Sequence, residues 1–228
     1  MQIVLSHQRI LEYQILNEQD INKKGKLFDK LMKVYDDRIK YFGNDRKMGK
    51  NQILVDKADD YVKYVPTARD PQKKVAYQWL KSVIDEEGSR CKLSAYVNYF
   101  NLSDALFKAN KDGFRQTYID DYLKITPLMT ERIHAGNEKD SINFTTVKAS
   151  VDAMFAQSGA ADCKTLDGVY ASQIDAKKSD KEFLNMVLKL YAIADCEESS
   201  VYFKASAYKH AIDPSATSAR GMAAQAYN

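Results

Sequence analysis

Apolar residues recur through most of the chain at the three- and four-residue spacing of helices that bury one face. Between Leu27 and Ile39, for example, Leu31 and Val34 hold this spacing, and Gly43 follows as a helix stop. The pattern predicts about eleven helices separated by short loops. Their expected bounds are 2–17, 20–42, 48–64, 69–87, 91–110, 112–135, 139–158, 161–176, 179–194, 198–212 and 215–227.

Several helix boundaries have recognisable chemistry. Gly88 is expected to end one helix, and Gly113 separates two helices after Asn110. The segment Ser179–Glu182 has the form of a capping box, which predicts a helix start. Pro127 interrupts a helical run, so we expect either a kink next to it or a break into two helices.

The composition favours an all-α fold. Nine glycines and four prolines are few for 228 residues, and β-branched runs bounded by turn residues are scarce. The fifteen tyrosines fit the gaps between packed helices, where a ring is buried while its hydroxyl reaches the wet edge. Because the loops are short, we expect one continuous helical domain over residues 1–228.

Charge and hydropathy argue against several classes of partner. A net charge of +3 is too close to neutral to indicate nucleic-acid or membrane binding by itself. The stretch 21–50 is locally basic, and a solvated helix face explains it better than a partner surface. No run of about 18 uncharged apolar residues occurs, so no membrane insertion is expected.

Two segments place small, large and turn residues at the intervals where paired helices cross closely. These residues are Ala76, Leu80, Val83 and Gly88 in the first segment, and Pro214, Ala223, Ala224 and Tyr227 in the second. Through them the chain resembles the tetratricopeptide repeat (TPR) family. Through residues 34–43, 76–81 and 212–216 it is similar to divergent multi-repeat TPR proteins of Bacteroidetes.

This resemblance implies a right-handed superhelical stack of antiparallel helix pairs, a TPR-like α–α solenoid. Residues 214–228 then form the first helix of a pair, which predicts that the domain is truncated within a repeat. The likeness is partial, because Val83 stands where the motif usually has alanine and Arg220 stands where it has tryptophan.

The sequence lacks the patterns of a catalytic or metal site. His7, His134 and His210 are far apart and do not have the spacing of metal ligands. Glycine-rich phosphate loops and nucleophile-elbow motifs do not occur. We therefore expect no enzyme activity, no metal and no cofactor, and the TPR resemblance implies a scaffold that binds another protein or a peptide.

The resemblance also implies where that partner binds. In TPR proteins the first helix of each pair lines the concave groove, and the matching positions here make Lys92, Tyr99 and Gln225 the expected contact residues. The alternative is that these three are ordinary solvated or packing positions.

A second function, from a different class, remains open. Six aromatic residues could line the cleft of a carbohydrate-binding module or a helical enzyme. They are Tyr61, Tyr64, Tyr77, Trp79, Tyr96 and Tyr99. Exposed rings along one cleft would favour this function, whereas rings buried between helices would favour the scaffold.

Two of the three cysteines are positioned to meet. Cys163 lies at the start of one short expected helix and Cys196 just after the end of the next, so a helical hairpin brings them together. A disulfide there would indicate an oxidising compartment such as the bacterial periplasm. Buried free thiols are the alternative and would favour the cytoplasm, and Cys91 is left unpaired in either case.

Overall fold

The computed structural model describes residues 2–45, 49–66, 69–71 and 73–214. These residues form α-helices and a short 3₁₀ helix and contain no β-strand, which confirms the all-α prediction. The helices are α1 (Gln2–Asn17), α2 (Ile21–Phe42), α3 (Lys50–Tyr64), α4 (Lys74–Glu87), α5 (Leu93–Ala109), α6 (Lys111–Ala135), α7 (Glu138–Gln157), α8 (Cys163–Tyr170), α9 (Lys181–Ile193) and α10 (Ser200–Ile212). The 3₁₀ helix is Gly88–Arg90. The expected helix at 215–227 lies outside the described residues.

Several helix ends follow from local capping chemistry. Gly88 ends α4 with a φ of +55°, a left-handed conformation that glycine adopts without strain. The side chain of Asn110 caps α6 by accepting a hydrogen bond from the backbone N–H of Gly113 at 3.1 Å. Asp180, rather than the expected Ser179, caps α9 by accepting from Phe183 N–H. A capping carboxylate one residue later therefore replaces the predicted capping box.

Two helices differ from the sequence expectation. α6 runs without interruption through Pro127, so the break into two helices does not occur. Buried Ile125 and Met129 lie on either side of the proline, and this packing holds the helix together although Pro127 donates no hydrogen bond. α8 ends at Tyr170, six residues early. Turns follow it, in which the backbone N–H groups of Gln173 and Ile174 both donate to the carbonyl of Tyr170, at 2.9 and 3.0 Å.

The chain divides into two compact units, 1–148 and 149–228. In the first unit each helix from α1 to α6 contacts the next, and α3 also contacts α5. In the second unit α9 contacts both α8 and α10. We expected residues 1–228 to form one continuous domain. Because that depends on how the two units associate, it stays a prediction.

Each unit has an aromatic core. In the first unit Tyr77 stacks on Tyr99 with ring centroids 5.2 Å apart, and Phe107 stacks on Tyr118 at 4.9 Å. In the second unit the ring of Tyr191 lies between those of Tyr170 and Tyr202. The tyrosines therefore fill the spaces between helices, as their abundance suggested.

Candidate partner-binding face

The outward side of α3 and α5 carries a group of polar side chains that we call the polar face. α3 buries Ile53, Ala58 and neighbouring residues on one side, so the residues on the opposite side of the helix face outward. The polar face consists of Asp56, Asp59 and Lys63 on α3, Lys92 at the start of α5, and Asn98 on α5.

Hydrogen bonds and ion pairs fix these side chains across the two helices. Lys92 Nζ pairs with Asp56 Oδ1 at 2.9 Å. Six residues further along the chain, Asn98 Nδ2 donates to Asp59 Oδ1 at 2.6 Å. Burial raises the pKa of Asp59 above its ordinary value, although hydrogen bonds from Asn98 and Ser94 oppose the shift. Asp59 is thus a half-buried carboxylate stabilised by neutral donors.

The hydrogen-bond network of the polar face continues to α1 and α2. Arg38 is buried, donates to Gln8 Oε1 at 2.8 Å and pairs with Asp56 Oδ2 at 3.5 Å. Gln8 in turn donates to the hydroxyl of Tyr35, and this hydroxyl donates to Asp60 Oδ2, each at 2.7 Å. Four helices therefore hold the carboxylates in place.

The polar face combines hydrogen-bond acceptors with hydrogen-bond donors. The carboxylates accept hydrogen bonds from cations or amides, and Asn98 and Lys92 can donate to carbonyl groups. Asp56 pairs with two cations, Arg38 and Lys92, whereas Asp59 makes no ion pair with a described residue, although the charge of Lys92 favours its ionised form. A further cation would be stabilised most at Asp59.

Of the expected contact residues, one lies on the polar face. Lys92 is about half exposed and holds Asp56 as described above. Tyr99 is fully buried, with 0 % of its surface exposed, and its hydroxyl donates to Asp121. It is a packing residue, because α5 turns the Ala95 and Tyr99 side inward and Asn98 outward. Gln225 lies outside the described residues.

Sequence reasoning missed the buried carboxylate at Asp121. It accepts hydrogen bonds from the hydroxyls of Tyr77 at 2.9 Å, Ser103 at 2.5 Å and Tyr99. Burial raises the pKa of Asp121, and the three donors oppose the shift. The available signal was its spacing, since Asp121 falls on the same helix stripe as Tyr118 and Ile125. Its carboxylate joins α4, α5 and α6.

The six aromatic residues of the candidate cleft are mostly packed between helices. Tyr61, Tyr64, Tyr77, Tyr96 and Tyr99 are buried, and Trp79 is half-buried. Tyr61 meets the edge of Trp79 with centroids 5.3 Å apart, and Lys57 Nζ lies 4.4 Å from the centre of the Trp79 ring. These contacts occupy the ring faces that a bound sugar would need.

The structure joins Cys163 and Cys196 in a disulfide, with Cα atoms 5.4 Å apart. Cys163 is the first residue of α8, and Cys196 follows the end of α9, so the bond closes a hairpin of two helices. Asp167 adds a polar link, because it accepts hydrogen bonds from Tyr191 at 2.9 Å and Ser199 at 2.5 Å. Cys91 is a buried free thiol.

A polar hollow of about 320 Å³ lies among Asp45, Asn51, Glu86 and Glu87, but it lacks the apolar walls of a typical small-molecule site. Within the described ranges no cluster of three histidine, cysteine or acidic residues could hold a metal. None of the described helices is long and apolar enough to cross a membrane.

Comparison with known proteins gives no assignment. No protein-family model, no curated protein and no solved structure matches the chain.

Proposed function

We propose that this chain is a non-catalytic helical scaffold that binds another protein or a peptide on the polar face. The observation that carries this proposal is the burial of the aromatic rings between helices. A carbohydrate-binding cleft needs exposed ring faces, and packed rings argue against that alternative. Rings buried between helices are also what we expect of a helical scaffold that binds its partner on its outer surface.

We propose that the first unit has a TPR-like arrangement. α3 contacts both its neighbour α4 and the helix after that, α5, as the first helices of successive pairs do in a stack. Ala76, Leu80 and Val83, which carry the repeat spacing, are all buried. Small and medium side chains at these positions let α4 approach its neighbours closely. By this arrangement α3 and α5 line the groove.

The half-buried carboxylate of Asp59 favours a partner segment that contains lysine or arginine, although Lys63 and Lys92 balance the two carboxylates of the polar face. Burial and the charge of Asp56 raise the pKa of Asp59 against the hydrogen bonds of Asn98 and Ser94 and the charge of Lys92, so an added cation improves its electrostatic environment. Lys92 and Arg38 keep Asp56 satisfied, which leaves Asp59 as the main acceptor. Preformed hydrogen bonds across the helices reduce the entropy that the face loses on binding.

A paired peptide array tests the proposal. The probes are randomised 12-residue peptides that contain lysine or arginine, each beside a copy with glutamine at those positions. We expect a subset of the cationic peptides to bind and their glutamine copies to bind much more weakly. The double variant Asp56→Asn/Asp59→Asn should weaken binding of that subset by roughly tenfold.

The control is the double variant Asp112→Asn/Glu131→Gln, which removes two exposed carboxylates of α6 and the same net charge. It should bind the peptides as the unmodified chain does. If both double variants weaken binding equally, the effect comes from net charge alone and the polar face is not the binding site. If cationic peptides and their glutamine copies bind equally, the proposed partner chemistry is wrong.

A further inference from the structure

Helix α2 carries a row of exposed lysines that we call the lysine stripe. Its members recur at three- and four-residue spacing, interrupted once by Asp37, so they follow one side of the helix. They are Lys23, Lys26, Lys30, Lys33 and Lys40, and all are exposed. At a rise of about 1.5 Å per residue, the stripe is about 25 Å long. The opposite side of α2 is buried through Phe28, Leu31 and Tyr35, which holds the lysines on the outer side.

The charge of the lysine stripe is largely left unneutralised. The ammonium groups of its first four lysines make no ion pair or hydrogen bond with any residue that the structure describes. Of the three aspartates of α2, Asp29 pairs with Arg69 and Asp36 pairs with Lys57 at 2.5 Å. Only Asp37 remains on this helix to offset the stripe. A partner therefore meets a dense local charge that the chain's net charge of +3 does not reveal.

The make-up of the lysine stripe favours a flat and diffuse anionic surface as its partner. A partner helix packed along such a seam needs apolar side chains in the seam, whereas every member of the stripe is charged. Nucleic-acid recognition relies on arginine forks and stacked aromatic rings, and the stripe contains lysine alone. Lysine is a point charge on a flexible stem, which suits headgroups whose positions are not fixed.

An exposed aromatic ring lies at the end of the lysine stripe. Tyr41 is 68 % exposed and follows Lys23 by about five helical turns, so it lies on the same side of α2. Lys40 Nζ lies 5.2 Å from the centre of the Tyr41 ring. Tyrosine is enriched at the headgroup level of bilayers, where its ring contacts apolar groups and its hydroxyl stays in water.

We propose that the lysine stripe and Tyr41 form a docking surface for an anionic phospholipid membrane. α2 lies flat on the membrane, its lysines meet the anionic headgroups, and Tyr41 enters the headgroup layer. The stripe stays in the headgroup region because its ammonium groups are costly to bury in the hydrocarbon core. This inference is independent of the polar face, whose residues lie on α3 and α5.

Co-sedimentation with lipid vesicles tests the docking surface. The probes are phosphatidylcholine vesicles with about 30 % phosphatidylglycerol, and vesicles of phosphatidylcholine alone. The unmodified chain should bind the anionic vesicles roughly a hundredfold more tightly, because each lysine near such a surface contributes about fivefold. Salt at about 0.5 M should remove most of this difference by screening the exposed charges.

The stripe variant is Lys26→Gln/Lys30→Gln/Lys33→Gln, which should lose at least about tenfold in binding to anionic vesicles. The matched control is Lys111→Gln/Lys139→Gln/Lys164→Gln, which removes three exposed lysines outside α2 and the same net charge. Because these lysines lie outside the stripe, the control should stay within about twofold of the unmodified chain. Circular dichroism checks that each variant is folded.

A single substitution keeps the test decisive if the stripe variant does not fold. Tyr41→Ser leaves every charge in place and should still weaken binding to anionic vesicles. The proposal is wrong if anionic and neutral vesicles bind equally or if both triple variants lose binding equally. It is also wrong if the chain binds a labelled single-stranded oligonucleotide or polyglutamate through the stripe but does not bind vesicles.

Discussion

The hydroxyl of Tyr77 donates a hydrogen bond to Asp121 at 2.9 Å, although 44 residues separate the two in sequence. Tyr77 lies on α4 and Asp121 on α6, while Tyr99 and Ser103 on α5 complete the donors around the carboxylate. A buried carboxylate is tolerated only when its acceptor sites are filled, so this network fixes the relative positions of three helices.

Tyr77→Phe should lower the free energy of unfolding of the first unit by about 1–3 kcal/mol, because the buried carboxylate loses one of its donors. Trp79, the single tryptophan, belongs to the same unit and reports the transition by fluorescence during urea unfolding. Tyr41→Phe is the control, since Tyr41 is 68 % exposed, and it should change stability by less than about 0.5 kcal/mol. Equal effects of the two variants would contradict a stabilising role for the Asp121 network.

Reduction of the Cys163–Cys196 bond should destabilise the second unit by roughly 3–4 kcal/mol, because the bond closes a loop across a sequence separation of 33 residues. The measurement is a thiol count in denaturant on protein matured in an oxidising compartment, followed by thermal unfolding with and without reductant. We expect one free thiol before reduction and three afterwards. Three free thiols before reduction would show that the disulfide does not form. The main argument for an exported protein would then be lost.

Cys91 should resist thiol reagents in the folded chain. Its side chain is buried, and burial raises the pKa of the Cys91 thiol to about 11, with the charge of Glu87 adding to the rise. Because the reactive species is the thiolate, labelling at pH 8 should be slow until the first unit unfolds. Mass spectrometry of labelled peptides follows the site, and rapid labelling of Cys91 under native conditions would contradict its described burial.

Acid should weaken the contact between α9 and α10 through Asp213. Ion-paired hydrogen bonds from Lys181 and Lys209 lower the pKa of Asp213 to about 2. A carboxylate with a lowered folded pKa contributes stability above its unfolded value near 4, and this contribution is lost as the pH falls through about 2. Asp213→Asn should therefore lower the melting temperature at pH 6, and its difference from the unmodified chain should shrink toward pH 2.

The control for that pH series is Glu198→Gln, which removes an exposed carboxylate of the same unit. It should not reproduce the pH dependence of Asp213→Asn. A constant difference between Asp213→Asn and the unmodified chain from pH 6 to pH 2 would show that the carboxylate charge is not what stabilises this contact.

The sequence predicted the helices well because their signals are local. Apolar spacing, Asn110 and Gly88 mark helix bodies and ends without reference to the rest of the chain. The orientation of α5 depends on its neighbours. The TPR resemblance placed Tyr99 in the groove, but α5 turns this residue inward, and its ring stacks on Tyr77 of α4. The buried network at Asp121 could not be assembled from sequence, since its donors come from two other helices and only tertiary packing brings them together.

The polar face depends on tertiary packing in the same way. Lys92 was expected as a contact residue through the TPR resemblance, whereas no sequence pattern singled out Asp56 or Asp59 as its partners. Their importance depends on which helix lies beside α3, and sequence spacing within α3 does not contain that information.

The most direct test of the account is a hydrogen-exchange footprint of the chain bound to the tightest cationic peptide from the array. The account predicts slower exchange in residues 56–63 of α3 and 92–98 of α5, and no such change with the glutamine copy of the peptide. Protection confined to α2 or to the second unit, or no protection at a saturating peptide concentration, would contradict the assignment of the polar face as the partner-binding surface.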